Sequence, residues 1–200
     1  MKVIKTTIAT LGLLLLFSCT EDFKEINTNP NAPIDVQPGL LLRQVIYDYG
    51  EQMSYESFVA GNLLSQHFAM VDFNLFDRHD LNSPQLGGNP WPVIYNNLRD
   101  NESILEASRS SAINAVYEGP ALILKAYMTA ALTDIYGNVP YSEALDGKNG
   151  NTTPAYDEQR EIYLGADGIL ENLDKAIELL DSYDGRQTPE GDILYNGDLE

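Results

Sequence analysis

The residue with the most distinctive chemistry is Cys19, the only cysteine among the 200 residues. It follows the run LLLLFS, and the stretch TED, with two acids, comes directly after it. The four residues LFSC resemble a bacterial lipobox, in which a small residue precedes the cysteine. There the thiol forms a thioether with diacylglycerol and the freed amine is acylated, and more than one acyl chain makes the anchor stable. The pattern therefore predicts lipidation of Cys19, which also removes the problem of an unpaired thiol in a secreted protein.

The residues before Cys19 have the pattern of a secretory signal peptide. Lys2 and Lys5 supply the charged region, and a largely apolar run extends from Ile8 to Phe17. As a helix this run spans about 15 Å, roughly half of a hydrocarbon core, so it is too short for a stable transmembrane anchor. Residues 1–18 are therefore predicted to be a lipoprotein signal peptide, with a buried core helix as the alternative.

Residues 19–37 are predicted to form an acidic tether rich in Asn and Pro. The sequence INTNPNAPIDVQPG favours turns and extended backbone, and a fully extended segment of this length reaches at most about 60 Å. Acids immediately after the cysteine resemble the export signal that sends lipoproteins of the Bacteroidetes type to the cell surface. A solvated acidic turn is the alternative interpretation.

The net charge argues against two classes of partner. The chain has 12 Lys and Arg against 30 Asp and Glu, which gives a formal charge of −18. A field of that sign repels phosphate backbones and anionic lipid headgroups. We therefore expect no nucleic-acid partner and no electrostatic binding to an anionic lipid surface.

The sequence contains no motif for a catalytic or metal centre. His67 and His79 are the only histidines, and neither belongs to a metal-binding pattern. A glycosidase pair cannot be singled out, or excluded, among so many carboxylates. We predict no catalytic residue, no metal, no cofactor and no enzymatic activity. A surface glycoside hydrolase and a scaffold without a small ligand stay open as alternatives.

Residues 38–200 are predicted to be helical, with long irregular loops. Apolar residues recur at helical spacing from Leu41 to Phe68, with a break near Ser54 or Gly61, and a further helix begins near Pro92. Between them, residues 71–90 are predicted to form a long loop, a type of segment that often carries function.

Two more helices are predicted, over Tyr117–Tyr136 and Asp157–Asp181. Gly137 is expected to end the first, and Asp157 to cap the second. The sequence shows no convincing β-alternation. Two long helices joined by about twenty residues favour an antiparallel pair of the solenoid type, with looser spacing than a regular tetratricopeptide repeat.

Four stretches resemble the SusD/RagB family of outer-membrane nutrient-binding lipoproteins. They are Cys19 with EDFKEINTNPNAP, then PWPVIYNNLRDNESIL, then ALILKAYMTAALTDIYGNVPYSEAL, and finally DILYNGDLE. In the second stretch Trp91, Tyr95 and Asn101 are spaced as in the family. Members are usually much longer, so residues 38–200 are expected to be the N-terminal part of a SusD-like helical domain that is truncated at its C-terminus.

The resemblance implies an all-α fold with tetratricopeptide-like helical pairs. It also implies a lipid-anchored protein on the outer face of the outer membrane of a Bacteroidetes-type bacterium. Such proteins cap a SusC-like TonB-dependent transporter, capture oligosaccharides or in some members peptides, and pass them to the barrel. The resemblance implies no catalytic duty.

A glycan site needs aromatic faces for the apolar side of each sugar and polar groups for its hydroxyls. The loop at 71–90 and the residue after it offer both kinds. A core role for Trp91, at helical spacing with Tyr95, is the alternative, and so is a loop plug for the two phenylalanines. The candidate ligand-binding residues are Phe73, Phe76 and Trp91 for stacking and Asp72, Asn74, Asp77 and Arg78 for hydrogen bonds.

Overall fold

The computed structural model describes residues 36–71, 89–185 and 187–198, and these ranges fold as helices and turns. The predicted signal peptide, Cys19, nearly all of the tether and most of the loop at 71–90 lie outside them. The helices belong to one unit, residues 37–200. Within the described ranges the only β pairing is an isolated bridge between Val139 and Asp157, which confirms the predicted all-α class.

Five helices of six or more residues make up the framework in the described ranges. Shorter helical pieces are a π turn over Ser57–Gly61 that leads into Asn62–Leu64, and 3-10 turns over Ala115–Tyr117 and Asp146–Asn149. No helix in the described part of the chain combines the length and the apolarity needed to cross a membrane. The five helices are α1 (Pro38–Glu56), α2 (Trp91–Ser110), α3 (Glu118–Tyr136), α4 (Gln159–Leu164) and α5 (Ile169–Asp181).

Helix α1 begins and ends as its sequence predicts. Pro38 occupies the first turn, where its missing N–H costs nothing. Leu42, Val45 and Tyr49 recur every three or four residues and form the buried face. The predicted break corresponds to the π turn at Ser57–Gly61.

Helices α2 and α3 form an antiparallel hairpin. The end of α2 meets the start of α3, because Arg109 Nε lies 3.0 Å from Glu118 Oε1. The opposite ends meet where the rings of Trp91 and Tyr136 pack edge to face, with centroids 5.1 Å apart. Between these contacts, Asn101 Nδ2 donates to the Ala121 carbonyl oxygen at 2.9 Å.

Helix α5 runs antiparallel to α3 on another side. Leu180, at the end of α5, packs against Gly119 in the first turn of α3. At the other end, Lys125 Nζ lies 2.7 Å from Asp167 Oδ2, just before α5 begins. This is the antiparallel helix pair that the spacing predicts.

The prediction of one helix over Asp157–Asp181 is wrong. The chain forms α4, leaves the helix at Gly165, and starts again as α5 at Ile169. Asp167 between them is left-handed, with φ of 56°. A Cβ at Gly168 would lie 2.7 Å from the Gly165 carbonyl oxygen, so the turn is too tight for any side chain there.

The core lies between the helices, and its largest fully buried apolar side chains are seven aliphatic residues and one methionine. Each is at most 1% exposed, so removal of any of them would leave a cavity. The largest are Leu42, Ile94, Ile104, Leu105, Leu122, Met128, Leu132 and Ile162.

The C-terminal turns are held against α1 by two glycines in contact. Gly191 has φ of +89°, and a Cβ there would lie 1.9 Å from the Gly39 carbonyl oxygen. A Cβ on Gly39 would lie 2.5 Å from the Glu190 carbonyl oxygen and 3.0 Å from Tyr117 Oη. Both positions therefore require glycine, and the backbones approach more closely than any side chain would permit.

We predict that Gly39→Ala destabilises the protein by about 1–3 kcal/mol, because the new methyl group overlaps a backbone carbonyl that cannot rotate away. Gly50→Ala is the matched control in the same helix, where nothing lies within 4 Å of the new atom. It should stabilise by about 0.5–1 kcal/mol, since alanine is the better helix former. Urea unfolding followed by far-UV circular dichroism measures both, and equal stabilities would contradict the contact.

Candidate functional site

A cleft of about 530 Å³ opens between α2, α3 and two connecting segments. We call it the polar cleft, because carboxylates, hydroxyls and one ammonium group line it together with a few apolar side chains. The connecting segments are residues 140–146, which follow α3, and residues 166–167, which precede α5. The lining residues are Tyr95, Leu98, Glu102, Glu106, Lys125, Thr129, Leu132, Pro140, Tyr141, Ser142, Ala144, Leu145, Asp146, Ala166 and Asp167.

Helical spacing gives two walls of the polar cleft. On α2, Leu98, Glu102 and Glu106 follow at intervals of four residues and so lie on one face. On α3, Lys125 and Thr129 are likewise four residues apart. On each helix, polar side chains therefore face the cleft, while the other faces pack against the core.

The third wall, residues 140–146, is held in place by Asp157. One carboxylate oxygen accepts hydrogen bonds from the backbone N–H groups of Tyr141 and Ser142, at 2.9 and 2.8 Å. The other oxygen accepts a hydrogen bond from Ser142 Oγ at 2.7 Å. The prediction that Asp157 caps the following helix is therefore wrong. The residue at the N-cap of α4 is Glu158. The carboxylate of Asp157 instead accepts hydrogen bonds from residues 141 and 142, fifteen and sixteen residues earlier in the chain.

These hydrogen bonds affect the acidity of Asp157. Partial burial raises its pKa, but the three hydrogen bonds from Ser142 and Tyr141 together outweigh burial, and the pKa lies below its ordinary value of 3.8. Each hydrogen bond is made to the charged form of the carboxylate, which explains the direction.

The fourth wall is built around the left-handed residue Asp167. Its carbonyl oxygen accepts a hydrogen bond from Tyr141 Oη, and a second from Asn172 Nδ2 at 2.7 Å. Its carboxylate pairs with Lys125, whose ammonium also lies 5.5 Å from the centre of the Tyr141 ring. Burial raises the pKa of Tyr141, and the negative charge of Asp167 raises it further. Tyr141 therefore stays protonated and acts as a donor.

Thr129 stands out among the residues of the polar cleft. It is 1% exposed, and its Oγ1 has no hydrogen-bond partner among the residues that the structure describes. Buried hydroxyls nearly always have a partner. The cleft therefore contains a hydroxyl that the fold itself does not satisfy.

An aromatic cluster adjoins the polar cleft at Tyr95. The ring of Trp91 contacts Tyr95 and Tyr136, with centroids 4.9 and 5.1 Å away, and stacks on Tyr156 at 6.3 Å and 29°. Tyr95 Oη donates to the Pro140 carbonyl oxygen at 2.7 Å and so joins the cluster to the third wall. Tyr156 is 65% exposed and offers most of its ring to solvent.

Of the predicted site residues, the structure describes only Trp91. Its side chain is partly buried against the core, as the alternative interpretation expected, yet it also supports the exposed ring of Tyr156. The others lie outside the described residues, so their predicted role stays a prediction. They are Asp72, Phe73, Asn74, Phe76, Asp77 and Arg78.

Sequence reasoning missed the polar cleft. The four-residue spacing of Glu102 and Glu106 was available as a signal, because it places both on one helical face. Nothing in the sequence indicates that Asp157 and Asp167 fix the other walls, since the partners of their carboxylates lie fifteen or more residues away. Among the described residues, no group of three or more His, Cys, Asp and Glu side chains is arranged to hold a metal ion.

Comparison with family models matches residues 30–200 to a SusD-like family described as starch-binding and associating with the outer membrane. The match covers most of the chain, so the chain belongs to this family, as the quoted stretches predicted. No curated protein and no solved structure matches the chain.

We predict that Asp157→Asn destabilises the protein at pH 7 by about 1–3 kcal/mol, because it removes charge-assisted hydrogen bonds to the third wall. The folded pKa of Asp157 lies below its unfolded value, so this stabilisation is complete above about pH 4 and is lost as pH falls through the folded pKa. Urea unfolding from pH 7 to pH 2 should show the two proteins converging in acid.

The control is Asp174→Asn on α5, which makes the same substitution at an exposed position. It should match the unsubstituted protein across the pH range. A constant difference between Asp157→Asn and the unsubstituted protein down to pH 2 would contradict the role of the charged carboxylate.

Proposed function

We propose that this member of the SusD-like family is a lipid-anchored protein of the outer cell surface that captures oligosaccharides. It delivers them to a SusC-like TonB-dependent barrel transporter in the outer membrane. The observation that carries the proposal is the family match over residues 30–200, with its description of starch binding and association with the outer membrane. Peptides are the alternative ligand class.

The polar cleft and the aromatic cluster support glycan binding. A sugar presents an apolar ring face and a rim of hydroxyl groups, and it is bound where an aromatic surface adjoins hydrogen-bonding side chains. Tyr156 supplies an exposed ring, and Thr129, Ser142 and Glu102 supply partners for hydroxyls. The volume of about 530 Å³ is within the range of small-molecule pockets.

Binding without turnover is the function that we propose for this site. Carboxylates that accept hydrogen bonds from sugar hydroxyls need no raised pKa, whereas a glycosidase needs one acid that stays protonated near neutral pH. Asp157, which holds the third wall, has a pKa below its ordinary value because it accepts three hydrogen bonds, so this carboxylate is ionised near neutral pH. The residues Phe73, Asn74, Phe76, Asp77 and Arg78 are proposed, from their sequence alone, as further ligand contacts.

The N-terminal sequence supports the proposed location. Cys19 would carry the lipid, and residues 20–37 would allow the helical domain to stand clear of the headgroups. The acids after Cys19 support an outward orientation. Since the net charge of −18 disfavours adsorption to anionic lipid, a covalent anchor is the simplest way to hold this chain at a membrane.

We predict that Cys19→Ala moves the protein from the membrane to the soluble fraction, because no lipid can be attached to alanine. The test uses the native gene product with a C-terminal tag, fractionated after a high-salt wash.

From mild-detergent extracts of the unsubstituted protein, a TonB-dependent barrel should co-purify in stoichiometric amount and be identified by mass spectrometry.

Ser18→Ala is the matched control, since it keeps a small residue before Cys19 and should leave the protein in the membrane. Retention of Cys19→Ala in washed membranes would argue against the lipid anchor. A lipidated protein that brings down no barrel would argue against the transporter partnership and would favour the scaffold or hydrolase alternatives.

We predict that the purified full-length protein in detergent binds maltoheptaose, and that Thr129→Val weakens this binding about 3- to 10-fold, the equivalent of one hydrogen bond. The free energy of unfolding should stay equal or rise, because Oγ1 has no partner within the described fold. Isothermal titration calorimetry measures the affinity, and urea unfolding measures the stability.

Thr133→Val, one turn further along α3, is the control with the opposite pattern. Thr133 Oγ1 donates to the Gly137 carbonyl oxygen at 2.6 Å, so its loss should destabilise the fold by about 1 kcal/mol and leave the affinity unchanged. Absence of binding to maltoheptaose and to a panel of other glycans would refute the proposed ligand class. Release of new reducing ends would support the hydrolase instead.

A further inference from the structure

The charges around the polar cleft are strongly unbalanced. Four carboxylates line it, from Glu102, Glu106, Asp146 and Asp167, against the single ammonium of Lys125. That ammonium already pairs with Asp167 at 2.7 Å, and its side chain is only 16% exposed. Among the described lining residues, the only cation is therefore already paired and is not available to an anionic ligand.

The other three carboxylates are free to different degrees. Glu106 lies 4.0 Å from Lys148 Nζ, but both side chains are more than 60% exposed, so solvent weakens this pair. Asp146 accepts a hydrogen bond from Asn149 Nδ2. Glu102 is half-buried and has no hydrogen bond or ion pair among the described residues. Glu102 is thus the carboxylate best placed to act on a ligand.

Thr129 supplies an independent indication that a ligand enters this cleft. Its hydroxyl is buried and unpartnered within the described fold, while the side chain lines the cleft. A buried hydroxyl without a partner is unfavourable, so a ligand that donates to it or accepts from it gains the hydrogen bond that the protein lacks.

We propose that the polar cleft distinguishes sugars by charge: it accepts neutral and amine-bearing sugar residues and rejects those that carry carboxylate or sulfate. The inference rests on the proposed glycan-binding function and adds the class of ligand. Hydroxyl and ammonium groups donate hydrogen bonds to Glu102. An anionic group would instead lie near Glu102 and Glu106, and the one cation among the described lining residues, Lys125, is already paired with Asp167. Because water is partly excluded from a cleft, charge interactions there exceed those at an open surface.

Three ligands with one backbone test the proposal. They are maltohexaose, the same hexamer with amines in place of the C6 hydroxyls, and the same hexamer oxidised to carboxylates at C6. Calorimetry with the full-length protein, at a pH where the amines are protonated, should rank the amine form first and the carboxylate form last. We expect about a tenfold step at each stage at low salt, and smaller steps at high salt, since screening weakens charge interactions.

Glu102→Gln removes the key charge while keeping the shape of the side chain. It should weaken binding of the amine form and strengthen binding of the carboxylate form, each about 3- to 10-fold, while maltohexaose changes less than either. Glu178→Gln on the exposed face of α5 makes the same change in net charge away from the cleft, and it should leave the order and the spacing of the three affinities unchanged.

Equal affinities for the neutral and carboxylate hexamers would overturn the charge selectivity while leaving the glycan-binding function intact. Equal shifts in Glu102→Gln and Glu178→Gln would also overturn it, because the total charge of the protein and not the cleft would then set the preference. If none of the three hexamers binds and the panel of other glycans also fails to bind, the proposed function itself fails, and the selectivity with it.

Discussion

The fold depends on α3 being in contact with helices on several sides at once. On the α2 side, the backbone of Ala121 accepts a hydrogen bond from Asn101, and on the α5 side Gly119 leaves room for Leu180. A helix in this position must be apolar over most of its circumference, and the sequence ALILKAYMTAAL meets that demand. The remaining contacts come from α1, through the Tyr49–Tyr127 ring pair, and from α4, through Gln159 Nε2 and the Thr133 carbonyl oxygen.

Polar residues on such a helix need a specific reason to be present. Thr133 has one in the structure, since its hydroxyl binds the carbonyl oxygen of Gly137 where α3 ends. Lys125 has another, since its ammonium fixes Asp167 and with it the start of α5. Thr129 lies between these two and has no such partner among the described residues. Of these three polar side chains on α3, two therefore position loops and one is left without a partner in the described fold.

The helices were largely predictable from the sequence, and the reasons are local. Pro38 marks the start of α1 and Gly137 marks the end of α3 by backbone geometry alone. The apolar periodicity within the helices likewise requires no tertiary information. The same periodicity concealed the break between α4 and α5, because the apolar stripe continues in phase across Gly165 and Gly168. An aspartate directly before a helix predicts a cap, whereas the partners of the Asp157 carboxylate are three groups on residues 141 and 142.

The polar cleft was not predictable from the sequence, because it exists only in the packed structure. Its walls come from four segments that only the tertiary packing brings together, and two of them are shaped by carboxylates that bind backbone or a distant lysine. Asp157 and Asp167 are thus occupied in building the walls, while Glu102 and Thr129 remain without partners in the described fold. The buried hydroxyl of Thr129, without a partner in the described fold, lowers the stability of the unliganded protein, and an apolar side chain of the same shape would remove that cost. Glu102 on α2 and Thr129 on α3 line the same cleft, where the proposed ligand would bring hydrogen-bond donors to both.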